Sequence, residues 1–437
     1  MGGGKRHVAS LLIVSALLVT SLVAIWNPGA ASLGLGSVAA QGVIIDPGKS
    51  LLIRDLAVIE DPSRTFNPCT GEGTPLGKWT FGYLMTELAN EPVTGLNPAN
   101  LTRNWLRQWG THKDINGDIV LRRPEQLIQR PWEEAGNGVN QPLDLAIAPF
   151  RLLAIVNRID LKDDHVLGGV GAGEARFVFG AVDLESDCQP LPFTVIFEYG
   201  IKREGCQSIQ DWAQQWQGLA DSELGSEAYN AALEQITEQF VAAGSDPDMR
   251  PNQSSLNTLL SNENFLGDPF ELRAFKLVES GQGRGLLDSV SLRQTPADRH
   301  NRTEILVDFI NANEAGILAR NYDTPLILPD GTPFLGGGAN MVASTRWNGP
   351  RTGPFVNSNE ARHIFSLNTC SGCHARETGT GFFHIRPAPF GASPNLSGFL
   401  TGIDVLDPVD RVTIHHFDDL ARRAQEFEVT LTTPCAP

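Results

Sequence analysis

The chain has 437 residues, 41% of them hydrophobic and 19% charged, which describes a globular protein long enough for two or three domains. Its formal net charge is −16, from 34 basic and 50 acidic residues. With that balance and no Lys/Arg-rich run it lacks the basic surface that nucleic acids and anionic lipids need, so nucleic acid is excluded as a partner.

The N-terminus has the anatomy of an export signal. Lys5, Arg6 and His7 are followed by an apolar or small-residue run over 8–26, then by small residues that allow cleavage after Ala40 or Ala31. Residues 1–40 are therefore expected to be a signal peptide. The run is close to the ~20 residues that span a bilayer, so a retained anchor is the rival reading, and a membrane is a partner only in that case. The expected location of the rest is periplasmic or secreted. Six cysteines fit an oxidising compartment. Cys188 and Cys206, 18 apart around an apolar run, are expected to pair, as are Cys69 and Cys435.

Along the chain, 50–60 reads as a strand, and 80–90 and 98–109 as helices, the second with Leu101, Trp105 and Trp109 on one face. Segments 150–156, 176–183 and 191–199 are rich in Val, Ile and Phe. They read as three strands of one sheet, antiparallel because no crossover helix separates the second from the third. Helices are expected over 208–220 and 223–243, a further strand over 270–278, and a helix over 303–318 capped by Thr303. Trp212 and Trp216, like Trp105 and Trp109, have the spacing of core residues. Residues 321–352, rich in Gly, Pro and Asn, read as a connection. The expected fold is α+β: a mixed main domain over 41–320 with a small antiparallel sheet and several helices. A small helix-and-loop module over 353–437 follows.

Several weaker signals point to ordinary structure. Asp114-Ile115-Asn116-Gly117-Asp118 has oxygen ligands at calcium-loop spacing but Ile119 where that loop needs glycine, so a hairpin turn at Asn116-Gly117 is expected. The glycines of 168–173 do not have dinucleotide-binding spacing. Asn157-Arg158-Ile159-Asp160 reads as a strand end carrying an ion pair. No hydrolase or kinase motif occurs.

The segment that carries chemistry is Cys370-Ser371-Gly372-Cys373-His374. Two thiols three residues apart can form thioethers to the two vinyl groups of one haem, with the adjacent imidazole placed to ligate iron. This segment resembles the haem-attachment region of c-type cytochromes. A helix over 359–368 leads into it, bringing Ile364, Phe365 and Leu367, and the turns at 379–381 and 394–398 resemble those that wrap a haem edge. The likeness covers about the last 80 residues. The whole chain is similar to exported bacterial proteins that carry one such motif near the C-terminus, a similarity that brings no activity with it. It implies one covalent haem c held by Cys370 and Cys373, with His374 as axial ligand and an unspecified redox partner.

One departure matters: no Met follows His374, so the usual distal ligand is missing. His384 is the first candidate for the sixth position, then His415 or His416, then Met341, and an open position is the remaining option. Zinc held by Cys370, Cys373 and His374 or His384 competes with haem, as do a redox-active dithiol and a structural disulfide. The functions that follow are an exported monohaem electron carrier, an exported enzyme or ligand-binding protein assisted by haem or metal, or a cofactor-free secreted protein stapled by disulfides.

Overall fold

The computed structural model describes residues 44–162, 171–247 and 251–435. The expected signal, and residues 168–170 of the glycine-rich connection, lie outside them. The fold is α+β, and the sheet is large rather than small. Its eight strands are β1 (Leu52–Ile53), β2 (Phe150–Arg158), β3 (Glu174–Asp183), β4 (Gln189–Gly200), β5 (Leu256–Glu263), β6 (Phe270–Leu277), β7 (Leu287–Val290) and β8 (Ala339–Met341). They pair in the order β1-β2-β3-β4-β5-β6-β8, with β7 also on β6, and every pair is antiparallel.

Side chains alternate between the two faces of a strand, so one sheet makes two different surfaces. Phe177, Phe179, Phe197, Leu259 and Phe275 point into the main core. There they meet α1 (Phe81–Ala89), α2 (Pro98–Leu106), α3 (Cys206–Gly218) and α4 (Glu227–Val241). The centre of that core is aromatic: Phe81 stacks on Phe150 at 4.3 Å between ring centroids, and Trp109 lies 5.0 Å from Phe275. Trp105, Trp109, Trp212 and Trp216 are buried in it, as their spacing predicts.

Leu52, Val156, Val178, Ile196, Leu260 and Leu272 face the other way. The C-terminal 80 residues cover this second face with α5 (Asn359–Leu367), the hairpin Ile403–Leu406/Ile414–Phe417 and α6 (Asp419–Thr432). Residues Val43–Pro437 pack as one compact unit, and part of the stretch read as a connection, Ala339–Met341, is itself a strand of the sheet.

Other expectations are revised in detail. Segment 50–60 is a two-residue strand followed by the short helix Leu56–Ile59, because the Asp55 carboxylate accepts the Ala57 N–H and caps it. The helix after Thr303, whose hydroxyl caps Leu306 N, breaks at Asn313 into Glu304–Ala312 and Glu314–Leu318. Asn116 and Gly117, with φ of 55° and 69°, form the expected hairpin turn, and Asp118 pairs with Arg299.

The two disulfides differ from the expected pairs: Cys69 bonds Cys188, and Cys206 bonds Cys435. The reason is strand length. The 12 residues of β4 lie between Cys188 and Cys206 and span roughly 40 Å, far beyond disulfide reach. Cys206 instead opens α3, which packs against α6, and the chain leaves α6 towards Cys435.

Asp298 gives a pH-dependent prediction. Burial pushes its carboxyl up to about 7, with Asp118 and Glu271 adding repulsion, while the Asn340 N–H it accepts opposes the rise. A folded value above the ordinary one near 4 means its contribution is full below pH ~4 and is lost as pH rises through about 7. Asp298→Asn is expected to raise the urea midpoint at pH 8 and to flatten its decline between pH ~4 and ~7. An unchanged pH profile would show that Asp298 is ionised throughout.

Candidate functional site

The motif is presented by a capped turn. Ser358 caps α5 through the Ala361 N–H, and α5 delivers the chain to Thr369, whose hydroxyl accepts the Gly372 N–H at 3.0 Å. Cys370–Cys373 is then a single helical turn. Its two middle residues are set by their surroundings. A Cβ on Gly372 would collide with the Ser366 carbonyl, and the Ser371 hydroxyl accepts the Trp347 indole N–H at 2.9 Å.

Cys370, Cys373, His374 and His384 all line one cavity of about 730 Å³, within the range of cofactor pockets. Its floor is the second face of the sheet, from Leu52 through Val156, Val178 and Ile196 to Leu260 and Leu272. Its cover comes from Phe399, Leu400, Phe417 and α6. The main domain thus supplies one wall and the C-terminal segment the other. Arginines interrupt this apolar lining. Arg158 makes a two-pronged pair with Asp160 at 2.9 and 3.0 Å, and Arg176 bonds Glu174 and Glu198 at 2.7 and 2.9 Å. Arg422 bridges Asp160 and Asp419 at 2.8 Å each, and Arg423 pairs with Asp419. The expected ion pair of Arg158 and Asp160 is thus present, and it ties α6 to the sheet.

The state of each donor follows from burial. Cys370 and Cys373 are the two free cysteines, and burial pushes their thiols up to about 11 and about 12, so both are protonated at neutral pH. Burial lowers His374 to about 4, so its ring is neutral. Its Nδ1 meets the Phe382 carbonyl, which can only accept; the proton is therefore on Nδ1 and the Nε2 lone pair is free. Burial also drives His384 well below its ordinary value, with the neighbouring His374 adding to the shift. Its Nδ1 lies 2.9 Å from Ser397 Oγ and its Nε2 lies 3.4 Å from Cys373 Sγ. The two imidazoles are in contact, with centroids 4.4 Å apart at 65°.

The remaining sequence candidates separate. His416 lines the cavity but its side chain is 71% exposed and bonded to Asp404 at 2.7 Å. His415 faces away, stacked on His363 at 3.5 Å and bonded to Asp407. Met341, 2% exposed, packs with Phe270 and Leu272 and is not part of the lining. Of the three apolar residues of α5, Leu367 reaches the cavity, while Phe365 and Ile364 pack with Trp347 and Phe309.

Sequence reasoning missed two groups. The sheet wall with Arg176 and Asn262, and Arg423 opposite, needed the strand pairing to be seen. The second is a buried network behind the motif: Arg362 bonds Glu377 and Asp407 at 2.8 and 2.9 Å, His363 bonds Glu377, and His415 bonds Asp407. Among the described residues, His363, Asp407 and His415 are the grouping of three metal-type donors within 4.8 Å of one another. Their rings are parallel, at 0°, so their lone pairs do not converge on one point. Asp407 Oδ2 already accepts from Arg362, His415 and Asn359. Hydrogen bonding accounts for that cluster without an ion.

At the motif, the donors are of the kinds that hold either a c-type haem or zinc. Zinc needs four converging ligands, and among the described residues the grouping of three metal-type donors is His363, Asp407 and His415, away from the motif. Two separate thiols and one oriented neutral imidazole on a large apolar cavity are what haem attachment requires. No family model, curated protein or solved structure matches this chain.

Proposed function

We propose that this chain is an exported haem protein that carries one covalent haem c at Cys370, Cys373 and His374, in a pocket walled by its own sheet. One observation carries the reading. Four of the six cysteines are joined in two disulfides, whereas Cys370 and Cys373 remain thiols on a cavity of about 730 Å³ beside the neutral His374. Each thiol would add across a vinyl C=C: a C–S bond forms, the π bond breaks, and the hydrogen goes to the neighbouring carbon. No net oxidation is involved, so reduced thiols are what the step needs.

His374 would offer Nε2 to the iron, with the Phe382 carbonyl holding the ring's tautomer. Arg158, Arg176 and Arg423 offer cationic partners for the group's carboxylates. When bound, the haem supplies a one-electron couple, and the first role we assign is electron exchange with a redox partner. Export is part of the same reading. The two disulfides, and the lack among the described residues of a helix long and apolar enough to cross a membrane, are consistent with it.

The test is a spectrum of mature protein made in a host that attaches haem c. A sharp α-band at roughly 550 nm after dithionite, with pigment retained through acid–acetone extraction, is expected. Colourless, folded protein would end the haem reading and leave the cofactor-free alternative.

A further inference from the structure

Besides Cys370, Cys373 and His374, the cavity-lining residues with side chains that commonly ligate haem iron are His384 and His416. A flat macrocycle gripped by two imidazoles lies between them, so the two rings cannot also be in van der Waals contact with each other. His374 and His384 are already in contact at 4.4 Å, and His384 Nε2 rests against Cys373 Sγ, so in this arrangement the two rings do not grip opposite faces. His416 sits on the outer hairpin and is held by Asp404. The sheet that floors the cavity contributes apolar residues with Arg158, Arg176, Thr194 and Asn262, none of which commonly ligates haem iron.

That wall contains one anomaly. Asn262 on β5 lines the cavity, is 4% exposed, and its Oδ1 has no hydrogen-bond partner. Its cross-strand neighbours are Thr194 on one side and Leu272 on the other. A buried amide oxygen left unpaired is unfavourable, and because Oδ1 is itself closed to solvent, an occupant of the cavity would remove that cost once the amide turns Oδ1 towards it. A half-turn about χ2 exchanges the amide oxygen for the NH2, so the same side chain can also donate.

We infer that the iron keeps one face open to a small exogenous ligand, a diatomic or linear molecule with a polar outer end, and that Asn262 meets that ligand. The inference rests on the haem reading above and deepens it: the sheet is a ligand-sensing wall as well as a support. Thr194, buried beside Asn262, adds a hydroxyl to the same row.

The experiment uses the haem-loaded protein, with carbon monoxide for the ferrous form and cyanide for the ferric form. Wild type is expected to bind both, with a Soret shift. Asn262→Leu should weaken cyanide binding about tenfold, the loss of one hydrogen bond, and move the C–O stretch of the carbon monoxide adduct to higher frequency. Asn262→Thr, which keeps a polar group on a strand, should stay nearer wild type. If the leucine variant does not fold, Asn262→Val against Asn262→Thr makes the same comparison. A haem that refuses both probes, or apolar variants that bind like wild type, would overturn the inference while leaving the haem reading intact. A protein without haem absorption removes both.

Discussion

Cys370→Ser/Cys373→Ser is expected to lose all covalent haem, so that a haem stain of the protein on a denaturing gel goes from positive to blank. Serine is nearly isosteric with cysteine but its hydroxyl does not add to a vinyl group under the conditions in which a thiol does. The substitution should leave the fold intact, because the one polar contact of the Cys373 sulfur is His384 Nε2, which a hydroxyl can keep. Each single variant should retain one thioether and stay stained, with a displaced α-band. His374→Ala should also stay stained while its ferrous spectrum changes, since it removes a ligand and not an attachment point. Persistent covalent pigment in the double variant would mean that the site lies elsewhere. The disulfide pairing sharpens this expectation: with Cys69, Cys188, Cys206 and Cys435 bonded, Cys370 and Cys373 are the thiols available.

Arg362→Leu should destabilise the protein by about 3–5 kcal/mol, the usual effect of leaving buried charges unpaired. Arg362 is 1% exposed and binds both oxygens of Glu377, Asp407 Oδ2 and the Asn359 side chain, so its loss strands two buried carboxylates. Burial pushes the Glu377 carboxyl up, but the hydrogen bond from His363 and those from Arg362 outweigh it and hold it below the ordinary range. Asp407 is held low as well: burial opposes this, and His415, the Asp410 N–H and Arg362 prevail. In the wild type these depressed values contribute stability above pH ~4 that is lost as pH falls through the folded values. Without Arg362 the same carboxyls shift upward, so the deficit should be largest at pH 7 and shrink towards pH 4. Urea denaturation at the two pH values measures it. A deficit below ~1 kcal/mol at pH 7 would mean that the network contributes little. Because Arg362 links α5, the chain after the motif and the outer hairpin, its loss should also loosen the cover of the cavity.

Legibility followed the range of the interactions. The strands Phe150–Arg158, Glu174–Asp183 and Gln189–Gly200 were readable because long runs of Val, Ile and Phe buried on both faces mark a strand regardless of its partners. Strand β5 was not read at all. Its sequence, Leu-Asn-Thr-Leu-Leu-Ser-Asn-Glu, mixes apolar residues with amides and hydroxyls, as suits a strand that faces the aromatic core on one side and a partly polar cavity on the other. The helix into the motif was readable over 359–368, and it is present as Asn359–Leu367. Which of its apolar residues reach the cavity was not, since Phe365 and Ile364 had partners in Trp347 and Phe309 far away in sequence.

Taken alone, the sequence determined the motif itself: two cysteines and a histidine at the spacing of haem attachment, with a helix leading into them and no methionine after them. Those features depend on residues within a few positions of one another, and their chemistry is local. Only the tertiary structure decided how the other four cysteines pair, since the 12 residues of β4 hold Cys188 and Cys206 apart while α3 and α6 bring Cys206 to Cys435. It also decided that Cys370, Cys373 and His374 share a cavity with a wall built by the main sheet, with Asn262 on it, and that His374 and His384 touch. Those outcomes come from strand register and from packing across more than a hundred residues, which no local pattern encodes.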